Sequence, residues 1–116
     1  MDAYALPSAT PAEALAAQAE GAVLVDLRKP AARAASGRTI RGAALRDPFA
    51  FGHDDPLTAS AAPVILFCVH GHEVSRFGCA LLLLRGRRAR YVAGGFAALA
   101  EAGAALVPLD AEETSR

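Results

Sequence analysis

Neither sign of charge is in excess in this chain of 116 residues: twelve basic and twelve acidic side chains give a formal net charge of +0. A protein that grips nucleic acid through its phosphates ordinarily carries a basic surplus, so that class is set aside. Long apolar runs are missing too. The longest strongly apolar stretch lies around Ala80 to Leu84, far short of the roughly 20 residues that cross a bilayer. The start, MDAYALPSAT, has an acid at Asp2 and no basic segment leading into an apolar one, so it does not read as a secretory leader. Cysteine is scarce. Two residues, Cys68 and Cys79, make no disulfide framework and form no Cys-x-x-Cys pair. The expectation is a cytoplasmic protein with reduced thiols that binds neither membrane nor nucleic acid. Lysine is nearly absent: Lys29 stands alone among the arginines. With the abundant alanine, this suggests a GC-rich bacterial genome.

What is present excludes disorder. Hydrophobic residues make up 53% and charged residues 21%, enough to build a core. The length suits one domain over residues 1–116, with its core at about 11–108 and a polar, frayed tail at 110–116.

Short apolar runs alternate with helical patterns. Thr10, Pro11 and Glu13 have the order of a capping box with proline at the first helical position, so a helix is expected from Pro11. Gly21 breaks it. Residues 22–26 form a continuous β-favouring run, as in a strand buried on both faces. A loop and a short helix after Pro30 fill residues 28–36, and residues 40–45 hold a second short strand. Residues 47–62, rich in proline and glycine, read as loop with at most one helical turn. Residues 63–67 are the clearest strand. A helix runs from Glu73 or Val74 to Arg85, with Val74, Phe77, Leu81 and Leu84 on one face and Gly86 as its stop. Residues 90–93 are another strand, and Gly94-Gly95 turns the chain into a helix over residues 96–102. This alternation predicts an α/β fold: a small parallel sheet with helices on both faces. Ligands of such sheets bind beyond the carboxyl ends of the strands, which singles out residues 26–28, 68–73 and 94–95.

The chemistry is concentrated in VILFCVHGHEVSRFG. A cysteine at a strand end, followed by a glycine-containing loop and a helix, can receive converging backbone N–H groups. These favour a thiolate, a bound oxyanion or a persulfide. Gly71 permits the tight curl, and His70 or His72 can add a donor. Cys68, His70, His72 and Glu73 are all potential metal ligands, but their crowding on one short loop makes joint tetrahedral ligation awkward, and no metal is expected. Cys79, inside an apolar helix, is read as core.

Three segments together resemble the rhodanese family of sulfurtransferases over roughly residues 11–108. In VLVDLRKPAARAASGRTIRGA, Asp26, Arg28, Ile40, Gly42 and Ala43 match the family's opening pattern. Cys68-Val-His-Gly-His-Glu is similar to its six-residue active loop, and RYVAGGFAAL to its closing strand, Gly-Gly and helix. The resemblance implies a rhodanese-like domain in which Cys68 takes a sulfane sulfur from thiosulfate or a persulfide and hands it to a thiol, to cyanide, or to a partner protein. It implies no cofactor. The backbone of Val69, His70, Gly71, His72, Glu73 and Val74 would hold the persulfide. Asp26 and Arg28 would support the loops as an ion pair, and Gly94 and Gly95 would turn the chain against the active loop.

The sequence departs from the family at three points. Its sixth loop position, often arginine, is Glu73, which weakens the case for an anionic donor; Arg46 is a candidate replacement for the missing charge. Thr39 stands where a histidine is usual, and Leu99 where a tryptophan is common. A persulfide carrier or sensory module serving one protein partner is therefore a rival. The related phosphatases and arsenate reductases are a weaker one, since they use a Cys-x5-Arg loop and the sixth residue after Cys68 here is Val74.

Overall fold

The computed structural model describes residues 6–52, 55–59, 61–70 and 73–109. A two-residue strand, β1 (Ser8–Ala9), precedes the first helix, α1 (Pro11–Ala19). The capping box is formed: Thr10 Oγ1 accepts the Glu13 N–H at 3.1 Å, and Glu13 Oε1 accepts the Thr10 N–H at 2.9 Å. β2 (Val23–Asp26), α2 (Pro30–Ser36), β3 (Arg38–Ile40) and β4 (Ala44–Leu45) follow. One 3-10 turn, Pro56–Ala59, interrupts the irregular stretch. Then come β5 (Val64–Phe67), α3 (Glu73–Leu84), β6 (Ala89–Val92), α4 (Gly95–Glu101) and β7 (Leu106–Pro108).

Five strands form one parallel sheet in the order β1-β6-β5-β2-β4. Its centre, β5, is buried at all four positions, which is why its sequence is an unbroken apolar run. Alternate residues serve opposite faces. Leu24, Ile65, Phe67 and Val92 pack with Ala14 of α1 and Leu99 of α4. Val25, Val64 and Leu66 pack with Cys79 and Leu82 of α3. The fold is thus α/β with helices on both faces.

Three features differ from the sequence reading. The expected strand over residues 40–45 is two strands. β4 joins the main sheet, whereas β3 pairs antiparallel with β7 in a separate ladder; Gly42, at φ +81°, turns the chain between them. β1 and β7 have no counterpart in that reading, being too short to carry a pattern. The third correction concerns α3. Its buried face is Ser75, Cys79 and Leu82, while Phe77 is 62% and Leu84 85% exposed. Small size sets this face. An added Cβ on Gly78 would stand 2.7 Å from Leu27 Cδ2 and 3.0 Å from Leu66 Cδ2, so the helix lies closer to the sheet than a larger residue would allow. Its end is as expected: Arg87 N–H donates to Leu82 O and Gly86 N–H to Leu83 O, a Schellman closure with Gly86 at φ +74°. Among the described residues no helix is long and apolar enough to cross a membrane.

Candidate active site

Because the sheet is parallel, the carboxyl ends of β2, β5 and β6 share one edge. Cys68 follows the last residue of β5, the central strand, so it is flanked from both sides. On the β2 side, Leu27 N–H donates to Phe67 O at 2.8 Å. On the β6 side, Gly94 (φ +83°) and Gly95 (φ +63°) swing the chain back. Phe96 N–H then donates to Cys68 O at 2.7 Å and Ala97 N–H to Val69 O at 3.4 Å. The two glycines therefore turn the chain so that α4 braces the backbone of the cysteine loop. Gly94 cannot readily be anything else, since an added Cβ would fall 2.6 Å from Ala98 Cβ.

Cys68 is only 6% exposed. Its sulfur sits 3.2 Å from the hydroxyl oxygen of Ser75, a fully buried residue in the first turn of α3. Either atom can donate when the sulfur is a thiol; toward a thiolate the hydroxyl is the donor. Such a bond favours the charged sulfur. The sequence reading did not single out Ser75. A serine early in a helix ordinarily caps or meets solvent, and only knowledge of which α3 face is buried turns it toward Cys68. The sulfur faces a cavity of about 190 Å³ lined by Arg28, Lys29 and Ala32 from the β2–α2 connection and by Cys68, Val69, His70 and Val74. An adjoining open groove shares Lys29 and Val74 and adds Pro48, Phe49 and Phe77.

Beneath the cavity lies a buried ionic cluster centred on Asp26. Arg28 Nε and Nη2 donate to its carboxylate at 3.0 and 2.8 Å, and Thr39 Oγ1 donates at 2.7 Å. Arg33 Nε lies 3.8 Å from the same carboxylate, while its Nη2 donates to the carbonyls of Asp26, Arg28 and Arg46. The Arg28 guanidinium also lies 3.9 Å from the Phe96 ring centre. Asp26 and Arg28 thus tie β2, β3 and α4 together, and their charges are largely spent on each other. Thr39 fills a hydrogen-bonding place on Asp26 that its neutral hydroxyl suits.

The other candidates fall as follows. Arg46 does not supply charge to the cavity: its Nε is 2.7 Å from Asp55 Oδ2, and it is not among the lining residues. The cation that does line the cavity at its exposed rim is Lys29, which sequence reasoning treated only as a compositional oddity. Gly71 and His72 lie outside the described residues. Glu73 opens α3, and its side chain lies outside the description as well. Cys79 is fully buried in the α3–sheet core, and burial pushes its thiol up to about 11. It is a neutral core side chain at ordinary pH.

No family model and no curated protein matches the sequence. Solved structures do match in three dimensions. A rhodanese-related protein from Thermoplasma volcanium superposes with a TM-score of 0.69 at 18% identity, over 87% of this chain and 97% of that one. A thiosulfate sulfurtransferase from Pseudomonas aeruginosa gives 0.72 at 22% identity, over 90% of this chain and 20% of that longer one. An As-Sb reductase from Leishmania major gives 0.70 at 10% identity, over 96% and 98%. At such identities the likeness is one of fold, and the fold is that of a rhodanese-like domain.

Proposed function

We propose that this chain is a sulfurtransferase that carries sulfane sulfur on Cys68. The observation that supports this most directly is the setting of that residue. Its sulfur sits at the end of the central strand, is hydrogen-bonded to the Ser75 hydroxyl and faces a small cavity. Loading begins with the Cys68 thiolate attacking the outer sulfur of thiosulfate. A new sulfur–sulfur bond forms, the old one breaks, and sulfite leaves with the electron pair. In discharge, an acceptor such as cyanide attacks the outer sulfur of the Cys68 persulfide. The sulfur–sulfur bond breaks toward Cys68, releasing thiocyanate and regenerating the thiolate. Splitting one transfer into two in this way is covalent catalysis. Ser75 assists both steps, because its donor meets the sulfur when that atom is negative, as nucleophile and as leaving group. The reaction suits a reducing compartment such as the cytoplasm, where Cys68 remains a thiol between cycles.

A carrier that delivers its sulfur to one protein is a second reading. It draws on Phe49, 77% exposed, and Phe77, which line the groove beside the cavity. Phosphatase or arsenate reductase chemistry is disfavoured by Val74, an apolar lining residue where oxyanion chemistry wants a guanidinium.

The deciding experiment incubates reduced protein with thiosulfate, and separately with a low-molecular-weight persulfide, and reads intact mass. One added sulfur on the wild type and none on Cys68→Ser is the expected result. Equal addition to both proteins would overturn the assignment. Loading without turnover onto cyanide or small thiols would move the reading to the carrier.

A further inference from the structure

We propose that Lys29 selects an anionic sulfur donor at the Cys68 cavity, an assignment that rests on the sulfurtransferase reading. Two cationic side chains from the β2–α2 connection line this cavity, and only one has charge to offer. Arg28 is buried, paired with Asp26, bonded to Ser36 Oγ and stacked on Phe96. Lys29 is exposed and, among the described residues, has no carboxylate partner. Its Nζ lies 5.9 Å from the centre of the Phe49 ring, near the outer limit of a cation–π contact and a weak hold at an exposed site.

The backbone under Lys29 is held in place, and its side chain is exposed. The residue sits between the buried Arg28 and Pro30, and its carbonyl accepts the Arg33 N–H at 3.0 Å. A four-carbon stem anchored there carries an ammonium at the rim shared by the cavity and the groove. Among the described residues the others that line the cavity are Ala32, Val69, Val74, His70 and Cys68 itself, and none of these is a carboxylate.

A donor must place its outer sulfur on the Cys68 sulfur and leave its oxidised end toward the mouth. That end of thiosulfate bears a sulfonate, and Lys29 stands where the sulfonate emerges. Lysine is a flexible point charge rather than a planar fork. It therefore reads the charge of the donor more than its shape, and a thiosulfonate should be accepted with less advantage than thiosulfate. The attraction scales with donor charge. If removing the ammonium costs the dianion about tenfold in affinity, the monoanion should lose about threefold, the square root.

The test compares wild type, Lys29→Met and Lys29→Arg with thiosulfate, a dianion, and methanethiosulfonate, a monoanion of similar bulk that loads Cys68 with loss of methanesulfinate. For Lys29→Met, KM should rise about tenfold for thiosulfate and about threefold for methanethiosulfonate. The loss should fall on KM rather than kcat, and Lys29→Arg should recover most of it. Equal KM values in wild type and Lys29→Met would overturn the assignment.

A second arm needs no transfer chemistry. Iodoacetamide labelling of Cys68 is timed with and without sulfate at constant ionic strength. Sulfate should slow labelling of the wild type and do so much less in Lys29→Met. Equal protection of both, or of neither, overturns the role of Lys29 whether or not a persulfide ever forms. Failure of thiosulfate and of a persulfide to load the wild type counts instead against the sulfurtransferase reading.

Discussion

Ser75 Oγ stands 3.2 Å from Cys68 Sγ, joining the buried face of α3 to the end of the central strand. No water competes for a fully buried hydroxyl as it would at the surface, so its single proton is available to the sulfur. Ser75→Ala should raise the pH midpoint of Cys68 alkylation by about one unit, the worth of one hydrogen bond to a charged group. The direction follows from losing a donor to the charged form. Iodoacetamide rates across pH 5 to 10, with circular dichroism confirming the fold, measure it. An unmoved midpoint would remove Ser75 from the mechanism.

Asp26 is the hub on which the cavity floor depends. It faces the guanidinium groups of Arg28 and Arg33 and the hydroxyl of Thr39, all buried. Asp26→Asn leaves two buried cations without a counter-charge and should cost about 3 kcal/mol or more, a fall of roughly 10 °C or more in Tm. Thr39→Val removes one hydrogen bond and should cost about 1 kcal/mol. Adding Arg28→Met to Asp26→Asn should recover part of the loss, because one stranded charge goes with it. Thermal melts of the four proteins decide whether the cluster behaves as a unit.

The central strands of the sheet, β2, β5 and β6, and the place of Cys68 after β5 were legible from local pattern, while β1, β7 and the division of residues 40–45 between two sheets were not. The run at 64–67 is short, β-branched at Val64 and Ile65 and bounded by Pro63, which marks it as a buried strand, and a cysteine directly after such a strand falls at the carboxyl edge of a parallel sheet. The face of α3 was not legible. EVSRFGCALLLL has apolar side chains all round, so periodicity cannot choose, and the choice rests on the missing Cβ of Gly78 against Leu27 and Leu66. Ser75 and Lys29 were missed for related reasons. One follows from that helix face, and the other from the packing of the β2–α2 connection beside Cys68. Arg46 could be drawn toward the cavity or toward Asp55, and nothing in sequence spacing ranks the two.

Gly94 links stability to the geometry of the site. At φ +83° an alanine is strained, and its Cβ would meet Ala98 Cβ at 2.6 Å. Gly94→Ala should therefore cost about 2 kcal/mol or more. Relief would come by shifting the start of α4, which carries the Phe96 N–H that holds Cys68 O. The expected result is a lower Tm together with slower sulfur loading of the fraction that remains folded. A lower Tm with unchanged loading would mean that α4 supports the fold without setting the cysteine loop.

Cys79 gives the fold a weakness at high pH. Burial raises its thiol from an ordinary value of 9.0 to about 11. Between those values the unfolded chain has released the proton while the native protein still holds it, so unfolding is favoured increasingly as pH rises from 9 toward 11. Below about pH 9 both states are protonated and this contribution is flat. Tm should accordingly decline through that window, and Cys79→Ala, though less stable overall from its lost packing, should decline less steeply over the same range. The same burial leaves Cys79 unlabelled by iodoacetamide at pH 8 in native protein while Cys68 reacts, with both labelled after denaturation. Parallel Tm slopes for the two proteins, or native labelling of Cys79 at pH 8, would show that its thiol is less sheltered than its place between α3 and the sheet requires.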